Sequence, residues 1–405
     1  MNVFKKWCVK QRVTFLVEHN WEKIKGKLQG VFYKLNSQNF NLAKQLRHEL
    51  HQHPELSNEE VWTKQHLIDF LKTNTNLEII DKGTWFYAIY RAGIDRPNIA
   101  FRADFDALPM DEVIDLPWAS QYPGKAHKCG HDGHSATLAG FALEIDQNGA
   151  DKNIYFLFQP AEETGDGAIQ CVEFIEKHHI DEIYAYHNMS GIPYKSVGII
   201  DGTAFCASKG MTIHMEGTPA HASQPEVGIN PSLAIANIVR AIPDFIAPEK
   251  NKGLVLCTVV QMDVGEHAFG LAASSGNLRM TIRALYEEEL NQLQKNIENY
   301  ALKQAQEFGL NVHFEYNDEF PETVNHKECA DKIRLVAKTT GMDLVELNDA
   351  YRGSEDFGHF TKLTKGAYCF IGNGEDYPQV HTYEYDFPDE LIESGVTLFK
   401  ELVEL

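Results

Sequence analysis

Cys129, His131, Asp132 and His134 fall within the segment Lys128-Cys129-Gly130-His131-Asp132-Gly133-His134, which packs a thiol, imidazoles and a carboxylate into a few positions. Soft sulfur, imidazole and carboxylate oxygen are the donors that a zinc or manganese site uses. A Cys-x-His triplet alone is a modest signal, since an isolated cysteine usually behaves as a small buried hydrophobe. Three downstream segments strengthen it: Gln159-Pro160-Ala161-Glu162-Glu163, Ala185-Tyr186-His187-Asn188 and Gln379-Val380-His381-Thr382. Together they supply the ligands of a hydrolytic metal centre and a spare carboxylate. The adjacent pair Glu162-Glu163 makes sense beyond a strand end, where consecutive side chains diverge. One carboxylate can then bind a cation while its neighbour holds a water.

Short apolar runs alternate with longer periodic segments, the pattern of a sheet covered by helices. Strands are predicted at residues 86–90, 99–102, 154–158, 183–186 and 368–371. Each of the last four precedes candidate chemistry: Asp104 and Asp106, then Glu162 and Glu163, then His187, and after a loop His381. Ligands collect beyond the carboxyl ends of strands in open α/β sheets, so motif placement and fold agree. Asp104 and Asp106 bracket Phe105 at strand spacing and point to one face. Ser57-x-x-Glu60 predicts a capping box before a helix over 61–70, and a second helix runs from Asp132 and His134 through residue 143. From 204 to 318 the order becomes strand 211–216, helix 231–241, strand 254–262, strand 278–285, helix 287–308 and strand 311–316. That βαββαβ order is the ferredoxin-like unit.

At 405 residues the chain exceeds the size at which one core stops growing, so two domains are expected, and 43% hydrophobic residues can fill them. Residues 1–203 and 319–405 form the metal-binding part, with 1–40 as an N-terminal extension, and 204–318 are the insertion. A net charge of −21 argues against nucleic acid or an anionic membrane as partner. Seven cysteines at 8, 129, 171, 206, 257, 329 and 369 form no paired spacing, which fits free thiols in a reducing, cytoplasmic setting. No apolar run approaches the roughly 18 residues of a membrane span, and the start, broken by Lys5, Lys6, Lys10 and Arg12, lacks a signal-peptide core. The basic first 40 residues predict an amphipathic helix packed on the catalytic part. Asn188-Met189-Ser190 is formally a glycosylation acceptor, but it abuts a candidate ligand and is discounted. The histidines of His48-Glu49-Leu50-His51-Gln52-His53 fall one residue short of HExxH and are read as structural.

From Leu46 to the C-terminus the wording and order of segments resemble the aminoacylase/carboxypeptidase metallopeptidase family, in its amidohydrolase branch of hippurate hydrolases, N-acyl-amino-acid deacylases and auxin-conjugate hydrolases. The segments are LRHELHQHPELSNEE from Leu46, RADFDALPMDE from Arg102, HKCGHDGHSATLAG from His127, FLFQPAEETGDGA from Phe156, GTPAHASQPEVGINP from Gly217 and SEDFGHF from Ser354. The resemblance implies a zinc-peptidase-like α/β catalytic domain with a mixed, mostly parallel sheet, and an inserted ferredoxin-like domain acting as lid and dimer interface. It implies two divalent metal ions per subunit, zinc, manganese or cobalt, held by Cys129, His131, Glu163, His187 and His381, with Glu162 as general base. In sister branches a carboxylate bridges two metals where Cys129 stands, and a His ligand stands where Asp104 does. His131 compensates for the latter, leaving Asp104, Asp106 and Asp132 as carboxylates that orient ligands. His134 is open between that role and ordinary packing.

His221, in the inserted unit, is implied to reach the partner subunit's active site and stabilise the oxyanion. Arg283 resembles the family's substrate-carboxylate arginine, with the register against Arg279 open. Two departures bear on the acyl group: His381-Thr382-Tyr383 replaces the family's usual His-Ser-Pro or His-Asn-Pro, and Glu226 follows Pro225 where a His is common. The implied activity is amide hydrolysis of N-acyl amino acids by a metal-activated water in a homodimer. The same chemistry on dipeptides is a close alternative. A non-catalytic metal-holding protein is a more distant one, because it would have no use for the spare base Glu162.

Overall fold

The computed structural model describes residues 35–405, so the predicted amphipathic helix in the first 40 residues lies almost wholly outside them. The main sheet has eight strands in the order Glu78–Asp81, Phe86–Tyr90, Asn153–Gln159, Asn98–Asp104, Glu182–Ser190, Lys365–Gly374, Val197–Ile199 and Leu344–Glu346. Asn153–Gln159, Asn98–Asp104, Glu182–Ser190 and Lys365–Gly374 run parallel at its centre. Antiparallel strands flank them on both sides. Central parallel strands are covered on both faces and so read as near-continuous apolar runs. The segment Asn153–Gln159 is buried at every position.

One face packs against the helices Ser37–Gln52, His131–Asn148, Lys327–Thr340 and Leu391–Glu404 around Phe101, Phe141, Phe156 and Phe399. The other carries a second apolar cluster built on Tyr87, Tyr155, Phe174 and Tyr368. Helix His131–Asn148 is buried continuously from His131 to Ile145. That is why its amphipathic signal is weak and why its first residue can face the sheet's carboxyl edge.

The inserted unit has its own core, with Met211, Ile213, Ile238, Leu278, Ile282 and Ile297 among its members. Its antiparallel strands stand in the order Val255–Val264, Ser275–Ala284, Ala207–Glu216, Asn311–Phe320. Helices Ser232–Phe245 and Glu287–Phe308 complete a βαββαβ arrangement. The helix Glu287–Phe308 opens on three glutamates and ends at Gly309 in the left-handed region (φ 71°), which favours its dipole and its stop. The expected boundary at 318 falls inside the strand Asn311–Phe320.

The expected capping box does not form. Helix Val61–Asn74 has no side-chain cap from Glu60. Glu55 caps it instead, accepting from Trp62 N–H at 3.2 Å and Thr63 N–H at 2.8 Å. Ser57 and Glu60 are diverted to the carboxyl edge of the sheet, where Ser57 Oγ donates to Asp106 at 2.7 Å and Glu60 accepts from Ala161 N–H at 2.7 Å.

Candidate metal centre

Three loops beyond the carboxyl ends of parallel strands, and the end of a fourth strand, converge on one cluster. Cys129 and His131 flank Gly130, which adopts φ 101°; a Cβ there would stand 2.4 Å from Asn188 Oδ1. Only glycine takes this backbone with that neighbour. His187 lies within the strand Glu182–Ser190, and Glu162 and Glu163 follow Ala161, itself at φ 49°. His381 is held at φ 62° by its N–H bond to Lys128 O at 2.7 Å.

Distances between donor atoms are those of ligands around a shared cation. Cys129 Sγ is 3.2 Å from His187 Nε2 and 3.3 Å from His381 Nε2. Glu163 Oε1 is 3.4 Å from His381 Nε2 and 3.7 Å from His131 Nε2. Bonds of about 2.0 Å to nitrogen and about 2.3 Å to sulfur around a tetrahedral ion put neighbouring donors roughly 3.3–3.6 Å apart. His131 Nε2 and Glu163 Oε1 are buried and have no hydrogen-bond partner, an arrangement that costs free energy unless a cation fills it. The donor set therefore fits divalent metal.

The surrounding hydrogen bonds fix the ligands. Asp106 Oδ1 stands 3.0 Å from His131 Nδ1, while Oδ2 accepts from Ser57 and, at 2.9 Å, from Glu163 N–H. One carboxylate thus orients two candidate ligands, leaving His131 Nε2 to face the cluster. His187 Nδ1 lies 2.6 Å from Asn188 O, which turns its Nε2 toward Cys129 in the same way. Asp104 is spent differently, between Arg102 Nη1 at 2.5 Å and His134 Nδ1 at 2.6 Å. His134 uses its other nitrogen on Asn188 Oδ1 at 2.7 Å, so both its ring nitrogens are occupied and it props the ligand loops.

Electrostatics point the same way. Burial works against the charged form of His131, yet Asp104, Asp106 and Glu163 push it up to about 10. Burial, followed by the charges of Glu163, Glu162 and Asp104, drives the Cys129 thiol well above its usual range. Burial, then Glu355, Glu163 and Asp356, does the same to Glu162. So much converging negative charge calls for cations, and a coordinated thiol would be deprotonated outright.

A cavity of about 350 Å³ opens over this cluster, with Glu162 and Glu355 on its polar side and Met189, Phe205 and Phe370 on its apolar side. Residues 100–405 match the family model described as Peptidase family M20/M25/M40. The chain belongs to this family. Among curated members it is 29% identical to the hippurate hydrolase of Campylobacter jejuni, over 93% of this chain and 96% of that one. It is also 29% identical to an N-acetyl-L-cysteine deacetylase of Bacillus subtilis, over 84% and 83%. An IAA-amino acid hydrolase ILR1-like 5 of Arabidopsis thaliana is 27% identical over 88% and 85%. In fold it resembles a dinuclear metal-binding peptidase of the M20 family from Bacillus subtilis, with a TM-score of 0.77, 24% identity and coverage of 91% of this chain and 98% of that one. A putative aminohydrolase of Staphylococcus aureus gives 0.81, 23%, 91% and 97%.

The remaining sequence-predicted residues of this M20/M25/M40 member separate clearly. Arg283, not Arg279, points toward the cavity: its Nη1 donates to Ser354 Oγ at 2.6 Å, and Ser354 lines the cavity. Arg279 is engaged by Asp263 at 2.6 Å. His221 is exposed on the short strand Ala220–His221, against Ser223 Oγ at 2.6 Å, and does not line the cavity of its own chain. Asp132 turns away from the cluster, contrary to the expectation that it orients a ligand. It accepts from Arg47 Nε at 2.8 Å and lies 2.8 Å from His51 Nδ1. Next to His131 in a helix, it projects about 100° round the axis and so meets a different neighbour.

Sequence reasoning missed Arg102, whose fully buried guanidinium also donates to Glu355 and Asp356, both at 2.9 Å. It missed Ser57 and Glu60 as well. The available signal was an arginine inside an apolar strand next to two acids, and a capping motif with more acids than a cap uses.

Proposed function

We propose that the protein hydrolyses the amide bond of N-acyl amino acids, converting acyl-amino acid and water to a carboxylic acid and a free amino acid. The observation that carries this reading is Glu162, a buried carboxylate 3.8 Å from His131 Nε2 at the cavity wall, beside the donor cluster. Cys129, His131, Glu163, His187 and His381 would hold two divalent cations, zinc, manganese or cobalt. When bound, such ions polarise the acyl carbonyl and acidify water. Glu162 takes a proton from the attacking water and delivers it to the departing nitrogen, the base and acid duties of one carboxylate. Arg283 offers a half-buried guanidinium bonded to Ser354 with no carboxylate partner among the described residues, which suits the substrate's carboxylate.

We read the apolar side of the cavity as the place of an acyl group. Met189, Phe205 and Phe370 line that side and suit an acyl chain or ring.

Assembly as a homodimer would bring the partner subunit's His221 over this cavity to stabilise the tetrahedral oxyanion. Val259, Val260 and Met262 lie exposed on the sheet-edge strand Val255–Val264, the kind of edge a second chain covers. No helix among the described residues is long and apolar enough to cross a membrane. The cytoplasm suits six described cysteines that are all free.

A turnover screen tests the reading: N-acetyl, N-benzoyl and indole-acyl amino acids and dipeptides, with each metal restored to stripped protein. Faster hydrolysis of acyl amino acids is expected. Hydrolysis of dipeptides alone, or of nothing with any metal, would overturn it.

A further inference from the structure

Away from the cavity, a polar row crosses the open face of the inserted sheet. Asp263, Asn277, His214 and His313 stand directly opposite one another on four adjacent strands. Glu315 lies two residues beyond His313 and so on the same face. Met211, Ile213 and Met215 alternate with His214 and fill the core on the opposite side.

The hydrogen bonds of this row fix how His214 is protonated. Asn277 Nδ2 donates to Asp263 Oδ2 at 2.6 Å, and Arg279 donates to the other oxygen, also at 2.6 Å. A carboxylate only accepts, so the Asn277 amide must turn its Oδ1 toward His214. That oxygen is 2.7 Å from His214 Nδ1, which therefore carries a hydrogen. His214 Nε2 is left to face Glu315 Oε2 at 3.1 Å, yet it is buried and makes no aligned hydrogen bond. The His313 ring stacks on His214 with centroids 4.3 Å apart and planes 11° apart. Ligand atoms of His214, His313 and Glu315 all lie within 4.8 Å of one another.

A backing acceptor that sets the tautomer is how proteins orient metal-binding imidazoles. Two ligands bonded at about 2.0–2.2 Å to one tetrahedral ion stand roughly 3.3 Å apart and out of line. The His214–Glu315 pair has that geometry, whereas an imidazolium–carboxylate hydrogen bond requires alignment. The exposed His313 ring, stacked on His214, would turn out of the stack to aim a nitrogen at the same ion. We propose that His214, His313 and Glu315 form a surface site for a borderline divalent cation of the zinc, nickel or copper class, independent of the hydrolytic centre. Two imidazoles and a carboxylate select such ions over magnesium or calcium. Glu315 is 59% exposed, so the remaining positions are open to water or to a donor from another molecule. The ion would clip the edge strand Asn311–Phe320 to its neighbour Ala207–Glu216, on the side of the sheet away from the apolar edge strand.

The full chain, stripped of metal and returned to buffered free Zn²⁺, provides the test. Wild type should bind one more Zn²⁺ per subunit than His313→Ala or Glu315→Gln, both exposed edge positions, and the variants should keep their hydrolytic activity. Zn²⁺ should also suppress carbethoxylation of His214 and His313, located by mass spectrometry. That protection should persist in Cys129→Ser, which separates it from any loss at the hydrolytic centre. Equal uptake by wild type and His313→Ala, or unchanged modification of both histidines with Zn²⁺, would overturn the site and leave the row an ion pair.

Discussion

Glu162 and Glu163 are adjacent carboxylates with different surroundings, and their substitutions should separate. Glu163 N–H is held by Asp106 and its Oε1 points among the donor nitrogens, whereas Glu162 faces the cavity beside Glu355. Glu162→Gln keeps the shape but cannot take a proton. Turnover should fall on the order of 10²–10⁴-fold with metal content unchanged, as kinetics and metal analysis on one preparation will show. Glu163→Gln should instead lose metal. Cys129 gives a second residue-scale expectation. Burial and nearby carboxylates raise its thiol well above the usual range without cations, which slows thiol reagents, and coordination shields the sulfur altogether. Cys129→Ser should weaken metal binding. In wild type, thiol reagents at alkaline pH should label Cys129 in the stripped protein and spare it in the loaded one; equal rates of Cys129 labelling would make it a spectator.

At the scale of elements, sequence patterns located the parallel strands and the helix Glu287–Phe308 because apolar runs and acidic first turns are local signals. What they could not carry was partner choice across the chain. Ser57 and Glu60 have the spacing of a capping box, but the site's Asp106 and Ala161 claim both side chains, and Glu55 caps the helix. Likewise nothing local distinguishes Arg279 from Arg283 until the register opposite Ser208 is known. Asp132 shows the same limit: its partners Arg47 and His51 come from the helix Ser37–Gln52. This buried network continues from His51 to Glu112 at 2.8 Å and from Glu112 to Lys128 at 2.5 Å, the residue before Cys129. Burial opposes the Glu112 charge, but His51 and Lys128 bring its carboxyl down to about 2 from 4.5. The folded value is the lower one, so the stabilisation is full above about 4.5 and fades as pH falls toward about 2. Urea midpoints of wild type and Glu112→Gln should therefore differ most at neutral pH and converge on acidification. A constant gap would mean that Glu112 acts by shape alone.

The molecule as a whole poses a geometric problem. All candidate ligands of the hydrolytic centre lie outside the inserted unit, while His221 lies within it, exposed and off the cavity of its own chain. A direct role in chemistry then needs the inserted unit to reach a site it does not build, and we propose that a two-fold dimer joined through the apolar strand Val255–Val264 supplies that reach. Two inactive variants should rescue each other under such an arrangement. In a mixed dimer of His221→Ala and Glu162→Gln chains, one site combines the intact Glu162 of the first chain with the intact His221 of the second. The other site carries both defects. Random assortment makes about half of the dimers mixed and leaves about half of their sites intact, so recovered activity should approach roughly one quarter of wild type. Subunit exchange is confirmed separately by differential labelling. If exchange occurs and activity does not return, His221 acts within its own chain or has no part in the reaction.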